Sequence, residues 1–292
     1  MQNWQEEKRS SSRWKWVLLF VILVMASAGV FRMYSLRGQA SIPQAGQAAP
    51  AAQAAPQAEA GGVKVLVLNY HKIDNTHHSL AVAPADFESQ IKYLSDHGYN
   101  SISPDELYEG LAGTRELPEN PVLITFDDGY KDNYTNAFPI LKKYGFKATI
   151  FAITSFLGKY PHYFTWDQAR EMEKYDISIQ SHTVDHKSMT DLTDEQLREE
   201  LVDSKKKAEE ELGHSVDYVA YPTGTYNLHI AEMAKEAGYK AAFTIKYGNV
   251  DESSNIYALE RVPVFHTVNT NRDFLERLKY IPIFAKFGWS KS

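Results

Sequence analysis

Two adjacent carboxylates, Asp127 and Asp128, end the apolar run Val122-Leu123-Ile124-Thr125-Phe126 and are followed by Gly129. Side chains alternate along a strand, so neighbours diverge unless the strand is already turning, and a glycine supplies such a turn. One aspartate can then hold a cation while the other moves a proton. The same residues could instead cap a helix starting near Lys131, because aspartate satisfies free N–H groups at a helix start. A second polar cluster separates the two readings. Residues 177–186 form another β-like run that ends in polar residues, and it places His182 and His186 four positions apart. On a helical turn that spacing sets both imidazoles on one face. Two imidazoles and one carboxylate make a three-ligand set for zinc or a similar divalent ion, with a position left open for water. The neighbours His77 and His78 follow no such run and read as a surface feature.

Both clusters need strands that end on one side of the molecule. Strand-like runs occur at 63–70, 122–126, 148–153, 177–180, 218–221, 242–245 and 258–264, and helix-like patterns fall between them at 84–97, 133–144, 165–175, 193–212 and 228–237. In 84–97, Phe87, Ile91 and Leu94 share one face. Gly145, Gly213 and Gly238 follow three of the helices as stops. Such alternation predicts an α/β fold with a parallel sheet covered by helices, and about seven strands predict a closed or nearly closed barrel. In folds of this kind, groups at the C-terminal ends of the strands share one face. An open doubly wound sheet is the other arrangement, but no glycine-rich phosphate loop follows the first strand. The Glu- and Lys-rich stretch 193–212, with Leu197, Leu201, Ala208 and Leu212 as its apolar stripe, reads as a solvated outer helix.

Composition narrows the function. With 43% hydrophobic residues among 292, one sizeable core is affordable, and one catalytic domain with appendages fits. Net charge is −6 and the 31 basic residues are dispersed, which argues against a nucleic-acid partner. The chain has no cysteine, excluding disulfides, thiolate metal sites and a cysteine nucleophile. No His-Glu-x-x-His helix supports a metallopeptidase. Lys8, Arg9, Arg13 and Lys15 precede an uncharged apolar stretch from Trp16 to Phe31, so residues 1–38 are expected to be a basic cytoplasmic segment and a single-pass membrane anchor. The Ala26-Ser27-Ala28 run would make the protein secreted if cleaved there. Residues 39–62, rich in Ala, Gln and Pro, form an expected flexible linker, and residues 63–292 the catalytic domain. That domain ends in an aromatic, cationic tail at 280–289, expected to pack on the barrel. Nothing in the sequence sets an oligomeric state.

Three segments, Thr125-Phe126-Asp127-Asp128-Gly129-Tyr130, Ser181-His182-Thr183-x-x-His186 and Ala220-Tyr221-Pro222-Thr223-Gly224-Thr225-Tyr226, resemble successive motifs of the NodB-homology polysaccharide deacetylases, carbohydrate esterase family 4. The likeness runs from about residue 63 to 267. Asn69-Tyr70-His71-Lys72-Ile73 further resembles the branch acting on poly-N-acetylglucosamine of biofilm matrices. The resemblance implies a distorted, incomplete (β/α) barrel and a metal-dependent hydrolase that removes N-acetyl groups from an N-acetylhexosamine polysaccharide of the envelope or matrix. Peptidoglycan is the alternative substrate, and a non-catalytic carbohydrate-binding protein the alternative class.

By the same resemblance, Asp128, His182 and His186 would hold the metal, most naturally zinc, with cobalt, nickel or manganese as options, and Asp127 would be the general base. His71 would be the proton donor, with His266 as its competitor. Residues 221–224 would offer a backbone N–H to the oxyanion, and Tyr221 an aromatic wall to the groove. Trp166 is a candidate sugar platform, as are Tyr130, Tyr163 and Tyr226. The sequence departs from the family pattern at Ala220, where many relatives carry an arginine that orients the catalytic aspartate. Arg261 could substitute from a neighbouring strand.

Overall fold

The structure is a computed structural model, and it describes residues 63–76 and 78–279. The expected membrane segment, the linker, the aromatic tail and His77 lie outside the described residues. Among these residues, no helix is long and apolar enough to cross a membrane.

Seven parallel strands form a closed ring: β1 (Lys64–Tyr70), β3 (Pro121–Asp128), β4 (Ala148–Ala152), β5 (Ile177–Ser181), β6 (Tyr218–Ala220), β7 (Ala241–Tyr247) and β9 (Leu259–Pro263). β1 closes the ring by pairing with β3 on one side and β9 on the other. Two two-residue strands are additions: β2 (Asn100–Ser101) beside the start of β3, and β8 (Val250–Asp251) antiparallel to β1. The seven expected strands are all present.

Alternation along the strands sorts side chains into two layers. Val65, Val67, Leu123, Phe151, Tyr218, Phe243 and Leu259 belong to one buried apolar cluster, which fills the barrel. Their neighbours Leu68, Tyr70, Ile124, Phe126, Ile150 and Ile179 belong to a second cluster with the helices. Among those helices is α1 (Pro84–Asp96), which buries Phe87, Ile91 and Leu94 as its periodicity predicts. Above the apolar layer, the interior becomes polar: Asn69, Thr125, Asp127 and Arg261 are all buried.

The second helix, α2 (Pro104–Leu111), starts at a capping box formed by Ser103 and Glu106. A π turn at Asn133–Ala137 leads into α3 (Phe138–Tyr144), and Gly145 ends it in the left-handed conformation. α4 (Trp166–Glu173) has a second capping box, between Thr165 and Gln168. The stretch read as one outer helix is α5 (Asp194–Arg198), a π turn (Glu199–Asp203) and α6 (Ser204–Leu212). α7 (Leu228–Glu236) and α8 (Thr270–Lys279) follow.

Candidate active site

Strand register brings the polar residues to one mouth of the barrel. Tyr70 pairs with Phe126, Asp128 with Ala152, and Ala152 with Ser181. The residues just beyond, His71 and His182, therefore meet Asp127 and Asp128 at the C-terminal rim. Alternation alone would aim Asp127 into the barrel and Asp128 toward the helices. Asp128 escapes because its own φ is +75°, followed by +83° at Gly129, so the chain rolls over and Asp128 faces the rim. A left-handed backbone costs a non-glycine residue about 1–2 kcal/mol. Of the six described non-glycine residues with positive φ, Asp128, Thr183, His186 and Thr223 lie at this mouth, the clustering expected where local strain serves a site.

Asp128, His182 and His186 come together with ligand atoms within 4.8 Å of one another. Asp128 Oδ1 is 3.5 Å from His182 Nε2 and 3.3 Å from His186 Nε2. Donors bound tetrahedrally at 2.0–2.1 Å to one zinc ion stand about 3.3 Å apart, which these two separations match. Buried Asp128 Oδ1 has no hydrogen-bond partner, an orphan that a cation would satisfy. His182 Nδ1 lies 2.7 Å from the Ala220 carbonyl, so it is the protonated nitrogen and Nε2 keeps its lone pair for the cluster. The residues present thus fit a divalent metal.

The expected route to this cluster needs correction. His182 and His186 do not share a helical turn. They are brought together by a loop that is left-handed at Thr183 and His186, with Thr183 Oγ1 accepting the His186 N–H at 3.3 Å. The reason is that positive φ at Thr183 and His186 breaks any helical run after β5, and the loop folds His186 back until its ring lies 4.8 Å from that of His182.

The charges agree with a cation site. Burial alone would lower the His182 pKa, but Asp127 and Asp128 outweigh it and raise it, so the field there favours positive charge. Burial would raise the Asp128 carboxyl, yet the neighbouring His182 brings it below the usual range. At His186, burial and then His182 lower the pKa, leaving a neutral imidazole.

Asp127 is held separately. Arg261 NH1 and NH2 each donate to one carboxylate oxygen at 2.7 Å, and Asn69 Nδ2 donates to Oδ2 at 3.1 Å. Arg261 is itself fully buried, donating from Nε to the Thr244 carbonyl at 2.7 Å and from NH1 to Thr125 Oγ1 at 3.2 Å. Burial would push the Asp127 carboxyl up, but Arg261 and then His182 hold it far below the usual range. β9 thus delivers to Asp127 the guanidinium that position 220 lacks. His71 Nε2 is 3.9 Å from Asp127 Oδ2, and burial lowers the His71 pKa despite both aspartates. His266 is solvent-exposed beyond β9, with its N–H donating to the Ser79 carbonyl at 3.0 Å.

Two expected substrate contacts are corrected. Trp166 is the first residue of α4 and is buried in the core, so it offers no platform to a sugar. Tyr221 is also fully buried, its hydroxyl donating to the Tyr257 carbonyl at 3.1 Å and its ring stacked on Tyr226 at 5.5 Å. Residues so placed support the mouth and do not line it. Tyr130 and Tyr163 stack at 5.2 Å and border a cavity of about 620 Å³ whose lining includes Lys72, Asp74, Asp132 and Thr135. Asn69 was not singled out for a role, although it opens the Asn69-Tyr70-His71 segment, where a polar residue interrupts a buried strand.

Residues 114–242 match a family model described as polysaccharide deacetylase. The Bacillus subtilis protein YxkH, named as a polysaccharide deacetylase, is 41% identical over 201 residues, covering 69% of this chain and 71% of that protein. The poly-beta-1,6-N-acetyl-D-glucosamine N-deacetylase of Staphylococcus aureus is 29% identical over 227 residues, covering 68% and 77%. Among solved structures, the Streptococcus pyogenes deacetylase PplD, in complex with acetate, superposes with a TM-score of 0.70 at 30% identity, covering 74% of this chain and 99% of that one. Sequence and fold thus agree across most of the described domain, and the chain belongs to the polysaccharide deacetylase family of NodB type.

Proposed function

We propose that this chain is a divalent-metal-dependent, most naturally zinc-dependent, N-deacetylase of a β-linked poly-N-acetylglucosamine. The observation that carries the reading is the Asp128, His182 and His186 cluster set directly beside a carboxylate clamped by Arg261. Likeness to the Staphylococcus aureus enzyme supports the polymer. The basic and apolar segment at 1–38 would hold the domain outside the membrane, where such a polymer lies.

Amide hydrolysis joins a water oxygen to the acetyl carbon and breaks the C–N bond, releasing acetate and a free amine. When bound by Asp128, His182 and His186, a divalent cation supplies Lewis acidity and a more acidic water. Asp127, ionised under any neutral condition because of Arg261, accepts the proton of the attacking water. His71, neutral at rest and 3.9 Å from Asp127, takes up that proton as an imidazolium and delivers it to the departing nitrogen as the C–N bond breaks, which returns Asp127 to its carboxylate and His71 to its neutral form. In 221–225, Tyr221 N–H pairs with Phe243, Gly224 N–H with Tyr221 and Thr225 N–H with Pro222, which leaves the Thr223 N–H as the donor for the developing oxyanion. The cavity beside Tyr130 leaves room for the next sugar of a chain.

The test is acetate release by purified protein from poly-β-1,6-N-acetylglucosamine, chitooligomers and peptidoglycan. Release should be fastest on the first, vanish with chelator and return with zinc. Zinc-loaded protein that binds a polymer but releases nothing would show a binding protein, and preference for peptidoglycan would overturn the substrate assignment.

A further inference from the structure

Glu200 stands in the π turn between α5 and α6, within a Glu- and Lys-rich stretch whose pattern assigns it to solvent. It is instead only 3% exposed. Its Oε2 accepts the backbone N–H groups of both Val184, at 2.8 Å, and Asp185, at 3.0 Å. Oε1 lies 3.1 Å from Lys187 Nζ, an exposed ammonium that also reaches Asp185. Val184 and Asp185 are central in the loop joining His182 to His186.

That loop has no helical hydrogen-bond ladder to fix its shape. Its carbonyl side is held by β4's extension, where Thr154 N–H donates to Thr183 at 3.1 Å and Ser155 N–H to Val184 at 3.2 Å. Its N–H side is held by Glu200. Two consecutive amides converging on one oxygen form a small anion-binding nest, and a buried carboxylate is the side chain that fills it. The π turn matters because the inserted residue rotates this part of the helix relative to a regular α-helix. The apolar stripe of Leu197, Leu201 and Ala208 stays buried while Glu200 reaches the loop.

We propose that Glu200 is a positioning residue that sets the distance between the two imidazoles and hence the cation affinity of the Asp128, His182 and His186 cluster. It touches neither cation nor substrate. The proposal rests on the metal reading above, and its test separates the two. Zinc affinity is measured on the purified full chain by competition with a chromophoric chelator, alongside thermal unfolding with and without zinc. Glu200→Ala should weaken zinc binding about 10–100-fold, the range for residues that orient metal ligands. Glu200→Gln, whose amide oxygen can still accept both N–H groups, should bind within about threefold of wild type by the same reasoning. Lys187→Ala should bind zinc as wild type does. If Glu200→Ala does not fold, Glu200→Asp, withdrawn by one methylene, should fold and bind zinc more weakly. Wild-type affinity in whichever of these two variants folds, with or without a lowered melting temperature, overturns the proposal. Wild-type protein that binds no zinc overturns the metal reading instead.

Discussion

Arg261→Met isolates the energetics of the clamp. The side chain removed is fully buried and makes four hydrogen bonds, two of them charge-assisted to Asp127. Methionine fills similar volume, so the loss is mainly electrostatic. The substitution strands an ionised carboxylate at 2% exposure with Asn69 as its remaining close donor. Breaking a buried ion pair from one side costs about 3–5 kcal/mol. For a domain of roughly 150–250 residues each kcal/mol lowers the melting temperature by about 2–4 °C, so a fall of about 6–20 °C is expected. Turnover should drop about 100-fold or more, the usual contribution of a positioned base. Thermal unfolding followed by circular dichroism on metal-free protein reads the first effect, and acetate release under zinc saturation the second. The double variant Asp127→Asn with Arg261→Met removes the stranded charge and should be more stable than Arg261→Met alone. A single variant melting within about 2 °C of wild type, or a double variant no more stable than it, refutes the reasoning.

Asp128→Ala should abolish zinc binding, because it removes the oxygen that faces both imidazoles, whereas Asp127→Asn should keep zinc and lose turnover. Metal analysis of both proteins decides this, and equal zinc loss would undo the division of labour. His71→Ala should lower kcat by about 100-fold or more and leave zinc content unchanged, while His266→Ala keeps most of its activity. An unaffected His71→Ala rate would move the proton donor elsewhere.

The barrel was legible because strands buried on both faces read as apolar runs, as in Val122 to Phe126. The two-residue strands are too short to carry such periodicity. Helix α2 carries a signal outside the apolar periodicity, the Ser103-Pro104 start with Glu106 completing a capping box. The charged helix α8 lacked a long apolar run to announce it. At the site, residue types and order single out Asp127, Asp128, His182 and His186, which the structure brings to one mouth of the barrel. Their three-dimensional arrangement did not follow from spacing, since left-handed backbone at Asp128, Thr183 and His186 has no side-chain signature. Glu200 could not be told from its solvated neighbours, because only the π turn aims it inward. Trp166 looked like a platform from its place after a turn, but the first residue of a helix packed on the barrel points to the core.

Closure of the ring through β1 has a kinetic side. β1 pairs with β9 through Leu68 and Val262, so the earliest strand of the domain waits for the last one. Such pairings between distant segments form slowly, because loop closure precedes the contacts that reward it. Arg261 travels on that last strand. A chain emerging from synthesis, or trimmed before β9, already carries Asp127, Asp128 and both histidines, yet lacks the charge that makes a buried Asp127 tolerable. Completion of the barrel and readiness for chemistry are therefore one event.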